Sequence, residues 1–265
     1  MLAPDLLDRR ALALVRLVDA WGRPVEGPVV IEGPGVRALA KSEGRFAILT
    51  AAGLEAHAAQ FSAPPAAPAI ASVEVALDLT PADRTVAPRR FGLKLPRDPA
   101  PAHAAEAASL FQPAEIELLP SPRAALTGSA CALRVTVRRK DDQRLVENAL
   151  VRARSDNGLF AARALTDARG EACLIFPTLP LAFTGQGANV ESDLAARVVA
   201  HADPIAARFH APAELAAAAA AAATRTSGHA DPDALGAAFA PDFASGAAVR
   251  LAAGRQPSLV IEWED

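Results

Sequence analysis

The sequence predicts a mainly β protein: two β-sandwich modules in tandem, followed by a small α-helical element and a returning C-terminal strand. Three observations carry the prediction. Runs such as Ser72–Leu79 (SVEVALDL) and Cys131–Val137 (CALRVTV) alternate with a period of two, as half-exposed strands do. The 22 prolines and 16 glycines sit at punctuating positions, which argues against a helical bundle and against long uninterrupted strands. The third observation is the stretch Val146–Pro177. There a turn at Asn157-Gly158 and another at Asp167–Gly170 lead into the apolar run Ala172–Phe176, the pattern of a small antiparallel unit. A looser copy runs from Val15 to Leu49.

Composition narrows the partners. A chain of 265 residues is long enough for two domains. Alanine supplies much of the apolar content and tyrosine is absent, so the cores are thin, because alanine buries little area beside valine, leucine or phenylalanine. A net charge of −3 and a pI near 6.0 give no electrostatic footing for nucleic acid. The densest basic cluster, Arg138-Arg139-Lys140, runs straight into Asp141-Asp142, as a polar turn does. The apolar run near the N-terminus is broken by Arg16 and Asp19, and Leu215–Ala223 is far shorter than the roughly 20 residues of a membrane span. The expectation is a chain that is cytoplasmic at synthesis, without membrane insertion. Cys131 and Cys173 both fall in predicted strands and are expected to be buried thiols.

Taken in order, residues 1–9 form an arm and Ala11–Val18 the first strand. Asp19–Pro24 is a turn, since Gly22 tolerates positive φ and Pro24 holds its predecessor extended. Val29–Ile31, Val36–Leu39 and Arg45–Leu49 are strands, the last entered through the turn Ser42-Glu43-Gly44. Gln60–Ile70 is a loop, and Ser72–Leu79 and Phe91–Leu95 complete a first module over residues 1–97. The proline- and alanine-rich residues 98–108 read as a linker. The second module, 109–205, opens with the strand Ala114–Leu119 and continues through Cys131–Val137 and the stretch Val146–Pro177. Leu194–Ala202 suits either a helix or a strand, with β-branched Val198-Val199 and the following Pro204 favouring strand. Residues 206–265 hold a helix over Pro212–Thr224 and a second starting at Asp231-Pro232. Strands at Ala247–Leu251 and Ser258–Trp263 follow.

The two copies align as strand, turn, strand, variable hairpin, glycine turn, strand. Gly22–Val25 matches Gln143–Val146, Val29–Ile31 matches Ala149–Val151, and Ser42–Ile48 matches Asp167–Cys173 with a one-residue offset in the turn. Thr166-Asp167-Ala168-Arg169-Gly170-Glu171-Ala172, and to a lesser degree Lys41–Phe46, resembles the turn of carboxypeptidase regulatory-like (transthyretin-like) β-sandwich modules. That resemblance covers about half the chain. It implies tandem immunoglobulin-like or transthyretin-like sandwiches used for spacing and assembly, with no catalytic residues to carry over. The order of Pro113–Pro122, Cys131–Val137 and the TDARGE turn into Leu174–Pro177 also looks like accessory proteins of phage-tail-like contractile injection particles.

Residue constellations point the same way. The five histidines show no H-x-H or H-E-x-x-H spacing, and His201-Ala202-Asp203 and His229-Ala230-Asp231 lack further ligands, so no metal and no cofactor is expected. Asp156-Asn157-Gly158 lacks the repeated oxygen ligands of a calcium loop. No G-x-S-x-G elbow is present, and Glu115 and Glu117 alternate with Ile116 and Leu118 as a solvent face does. The expectation is therefore a non-enzymatic structural protein with other protein subunits as partners. Its interface candidates are Trp21, Arg23, Phe183, Leu259, Ile261 and Trp263, the two tryptophans suiting a core role equally well. The alternative is a carbohydrate- or peptide-binding sandwich, against which stand the absent tyrosine and the separation of Trp21 from Trp263.

Overall fold

A computed structural model describes residues 10–59, 65–124, 130–176, 194–212 and 228–264. The predicted irregular segment Pro177–Asn189 with Phe183, and the predicted alanine-rich helix from residue 213 on, lie outside these. The described chain is mainly β, with four sheets, and divides into two units: Met1–Ala82 with Arg90–Leu118, and Asp83–Arg89 with Leu119–Asp265.

In the first unit, β1 (Ala13–Val18), β2 (Val29–Glu32), β3 (Arg37–Ala40) and β4 (Arg45–Thr50) come first. A short helix α1 (Glu55–Ala59), absent from the sequence reading, precedes β5 (Val73–Pro81), β6 (Arg89–Leu95) and β7 (Ala114–Glu117). One sheet runs β3-β4-β1-β7 and the other β2-β5-β6. Alternation does what it predicts: Val75, Leu77 and Leu79 of β5 are buried while Glu74 and Ala76 are exposed. With Val15, Leu17, Phe46, Ile48, Phe91 and Leu93 they make the buried interior of this unit.

The second unit contains β8 (Cys131–Arg139), β9 (Leu145–Glu147), β10 (Leu150–Ser155), β11 (Ala161–Leu165) and β12 (Glu171–Phe176). It continues with β13 (Leu194–His201), β14 (Arg208–His210), helix α2 (Pro232–Ala238), β15 (Ala247–Leu251) and β16 (Ser258–Trp263). The order in one sheet is β11-β10-β13-β15; in the other it is β12-β8-β9-β14, with β16 on β8. Leu133, Val135, Leu174, Phe176 and Trp263 from the second of these sheets meet Val151, Ala153, Ala196, Val198 and Leu251 from the first in one cluster. That is a sandwich-like core.

The repeat seen in the sequence is a repeat of strand plan. β1 pairs antiparallel with β4 and parallel with β7; β8 pairs antiparallel with β12 and parallel with β16. In both units the chain thus closes with a strand laid parallel to the unit's first strand. The glycine turns coincide in detail. Leu17 N donates to Gly44 O and Val137 N to Gly170 O, each at 2.8 Å, and both glycines have φ of 65°. Around the second glycine the TD turn explains itself. Asp167 Oδ1 accepts from the backbone N–H of Arg169 and Glu171, and buried Thr166 donates to Val146 O while accepting from Ala149 N.

Two expectations need correction. Ala114–Leu119, read as opening the second module, instead supplies β7 at the end of the first unit, in register from Val15↔Ala114 to Val18↔Glu117. A parallel pair needs a long crossover, so nothing in the local pattern of AEIELL reveals its partner. Residues 98–108, read as a linker, lie within the first unit. Asp98 N donates to Ala108 O, Leu110 N to Asp98 O, and Arg97 Nε to Ser109 O, around a 3-10 turn at Pro101–His103. Cys131 and Cys173 are free and buried, as expected, and burial pushes both thiols up. Cys131 lies in the core cluster, whereas Cys173 alternates with the core residues Ala172 and Leu174 and so faces the other side of its strand.

Helix α2 begins as its sequence predicts: Asp231 Oδ1 accepts from Asp233 N and Ala234 N, and Pro232 takes the first turn. The helix covers a second small core of Leu119, Leu150, Leu165 and Leu235. Asp233 bridges two arginines, the fully buried Arg89 at 2.5 Å and Arg163 at 2.7 Å. Burial alone would raise the Asp233 carboxyl; the hydrogen bond and charge of Arg89, then those of Arg163, outweigh it and hold the pKa below the ordinary value. Asp233→Asn is expected to cost about 2 kcal/mol, less than the full buried-pair loss because Asp233 is half exposed and Asp231 stays 3.5 Å from Arg89. A depressed carboxyl stabilises above its unfolded pKa of about 3.9 and loses that contribution as pH falls through the lower folded value. The wild-type advantage over the variant should therefore be full at neutral pH and vanish in acid, as urea titrations at several pH values would show. A constant difference across that range would refute the assignment.

Candidate functional site

Strand β16 lies at a sheet edge, pairing with β8 on one side. Its residues alternate strictly: Leu259 and Ile261 are half buried against the core and Trp263 is buried, whereas Ser258, Val260 and Glu262 are exposed. Trp263 stacks on Phe209 with ring centroids 5.9 Å apart, and the Arg139 guanidinium lies 4.9 Å from the Phe209 ring centre. Lys140 closes the strand's end, its N–H on Trp263 O at 2.9 Å and its ammonium on Glu264. Three of the residues singled out as interface candidates, Leu259, Ile261 and Trp263, thus anchor the strand from within. What β16 turns outward is Val260, 54% exposed, and a backbone edge that pairs with no other strand among the described residues.

The turn after β1 presents the other two described candidates. Asp19 is its hub: the carboxylate accepts from Trp21 N, Arg23 N and Arg23 Nε, and Asp19 N donates to Arg23 O. Gly22, at φ 72°, supplies the left-handed residue such a tight reversal needs. The Arg23 guanidinium stands 4.3 Å from the Trp21 ring centre, which leaves the indole 41% exposed yet held in one orientation. An aromatic side chain ordered before contact loses little entropy on binding.

Polar groups converge at one place that histidine spacing did not reveal. Asp98, His103 and Glu106 lie in the loop between β6 and β7, with their ligating atoms within 4.8 Å of one another. Asp98 Oδ1 accepts from Ala100 N and Oδ2 meets His103 Nδ1 at 2.6 Å. The Ala100 N–H and then the His103 hydrogen bond hold the Asp98 carboxyl low; that same bond, then the charge of Glu106, raises His103. The D-x4-H-x2-E spacing matches no metal motif considered from the sequence, and the cluster's evident work is to fold its own loop. His201, by contrast, is a packing residue: it stacks on Phe239 at 5.7 Å, and burial, then the charge of Arg152, lowers its pKa.

No helix among the described residues is long and apolar enough to cross a membrane. No family model and no curated protein matches the chain. Among solved structures it is similar to the Bacillus anthracis TIE protein, at 8% identity and a TM-score of 0.26 over 97% of this chain and 34% of that one. It is also similar to GBS52, the minor pilin of the Gram-positive pathogen Streptococcus agalactiae, at 10% identity and a TM-score of 0.25 over 96% of each chain. The chain spans about a third of the TIE protein's length. Likeness this remote carries no argument about activity or partners. What the strands themselves define is a mainly β, sandwich-like protein.

Proposed function

We propose that this chain is a non-enzymatic structural and assembly protein that docks other protein subunits along the outer edge of β16. The single observation behind this reading is the edge itself: a C-terminal strand pinned to β8 from the core side, with Val260 and a row of backbone groups turned outward. Such an edge accepts a strand from another chain by sheet augmentation. The ordered Trp21–Arg23 turn is a second contact surface of the same protein. In finer terms, we assign the modules to the carboxypeptidase regulatory-like class. The setting we propose is an accessory position in a phage-tail-like contractile injection particle, built from a chain that is cytoplasmic at synthesis. The TDARGE turn and the order of the strands around it support both assignments.

Val260→Lys tests the proposal. A charge at the centre of an edge strand blocks pairing with another chain while leaving the inward residues in place. Folding stability should stay within about 0.5 kcal/mol of wild type. A partner co-purified with the wild-type protein and identified by mass spectrometry should be lost from the variant. Retention of the same partner at wild-type yield, or a wild-type chain that stays monomeric in native lysate with nothing bound, would refute it.

A further inference from the structure

The first unit holds a cavity of about 290 Å³ whose polar lining comes from Arg10, His57 and Arg97, and whose remaining wall includes Pro68, Ile70 and Pro96. Arg10 is 7% exposed and His57 is 3% exposed. Arg10 Nε donates to His57 O at 2.7 Å, and Nη2 meets His57 Nδ1 at 2.9 Å. A guanidinium only donates, so Nδ1 must be the acceptor, which places the imidazole proton on Nε2. Two buried donors are then left over: Arg10 Nη1 and His57 Nε2 have no hydrogen-bond partner among the described residues. Leaving buried donors unmade costs about 1–3 kcal/mol each, and more where the group is charged.

The charge is equally unanswered. Arg10 makes no ion pair among the described residues, and its guanidinium bonds there to His57 alone. The Arg97 guanidinium likewise bonds, among the described residues, only to carbonyl oxygens, those of Ser109 and Ala107. Burial disfavours the charged form of both, yet a guanidinium does not give up its proton at any ordinary pH. A buried cation with neutral partners only, beside a space walled by proline and isoleucine, is the complement of an anion that carries an apolar body.

We propose that this cavity binds a small organic carboxylate, its charge lying at the end lined by Arg10, His57 and Arg97 and its hydrocarbon part against Pro68, Ile70 and Pro96. The volume sits at the lower limit of ligand pockets, roughly 300–1,000 Å³, which suits a short acid. The proposal is independent of the β16 edge, which lies in the other unit.

The test uses the full chain and three probes: 3-methylbutanoate, its uncharged amide, and inorganic phosphate. Calorimetry should show saturable binding of 3-methylbutanoate at one site, with the amide and phosphate each at least about tenfold weaker, the scale of one lost charge-assisted hydrogen bond. Arg10→Met should weaken the acid by a similar factor and leave the amide unchanged. Should Arg10→Met fail to fold, nitrogen NMR of the wild-type imidazoles decides: the His57 Nε2 resonance should shift with the acid and not with the amide. Equal binding of acid and amide would overturn the proposal, as would phosphate binding as tightly as the acid, or a His57 signal indifferent to 3-methylbutanoate.

Discussion

Gly170→Ala is expected to destabilise the second unit by about 3 kcal/mol or more, and Gly44→Ala to do the same to the first. Two costs add at each position. An L-residue in the left-handed region loses about 1–2 kcal/mol, and both glycines have φ of 65°. A Cβ on Gly170 would also stand 2.6 Å from Val137 O, and one on Gly44 2.7 Å from Val25 O and 2.9 Å from Leu17 O. These are backbone atoms, and Val137 and Leu17 are the very residues whose N–H groups bond the two glycine carbonyls. Relief would therefore require opening the central strand pair. Gly158, at the tip of the β10–β11 hairpin with φ of 71°, separates the two costs, because a Cβ there meets nothing within 4 Å. Gly158→Ala should lose only the conformational part, about 1–2 kcal/mol. Urea denaturation in a Trp21→Phe background, with Trp263 as the reporter of the second unit, gives the comparison. A Gly170→Ala loss no larger than that of Gly158→Ala would mean that the close approach has no energetic weight.

Trp263→Ala is expected to cost about 3–5 kcal/mol, the range for removing a large aromatic from a core. The side chain is 8% exposed, belongs to the main cluster of the second unit and stacks on Phe209. Beyond the cavity, the substitution removes the anchor of an edge strand whose other inward residues, Leu259 and Ile261, are only half buried. Hydrogen exchange at the β16 amides should accelerate before the rest of the sheet is affected. The contrast with Val260→Lys is informative, because the two residues lie three apart on one strand and face opposite ways. The first substitution is expected to lower stability and the second to lower only association. A Trp263→Ala protein within about 1 kcal/mol of wild type would show that β16 is held by its backbone bonds and not by its inward side chains.

What the sequence discloses here is what depends on neighbours along the chain. Alternation locates β5 and β8, and the turn chemistry of Asp19–Pro24 and Asp167–Gly170 is local by nature. Pro232 after Asp231 announces a helix start, and Val198-Val199 decides for strand in β13 over helix. The glycine correspondence between residues 44 and 170 survives in three dimensions because a left-handed residue wedged against a carbonyl admits no other side chain. What escapes is pairing at a distance. β7 takes its place from an open edge of β1 almost a hundred residues away, so its position in the chain misleads. Alternation in β16 shows that Leu259, Ile261 and Trp263 share a face but not that the face turns inward. Residues 98–108 look like a linker by composition, while their order comes from Asp98 and Arg97 bonding backbone groups that composition does not register. Arg10 and His57 are 47 positions apart, and no spacing rule joins them.

The stretch Asp83–Arg89 follows β5 and ends on the first residue of β6, strands otherwise of the first unit, yet belongs to the second. There Ala87 N donates to Leu119 O, Ser121 N to Thr85 O, and Arg89 reaches Asp233. Neither unit is therefore a single continuous run of chain. A protease nick after Leu118 would yield a C-terminal fragment lacking Arg89, with Asp233 deprived of its closest buried cation, and an N-terminal fragment carrying seven residues of the wrong unit. Dissecting this protein into independently folding halves calls for rejoining residues 83–89 to the chain that starts at Leu119.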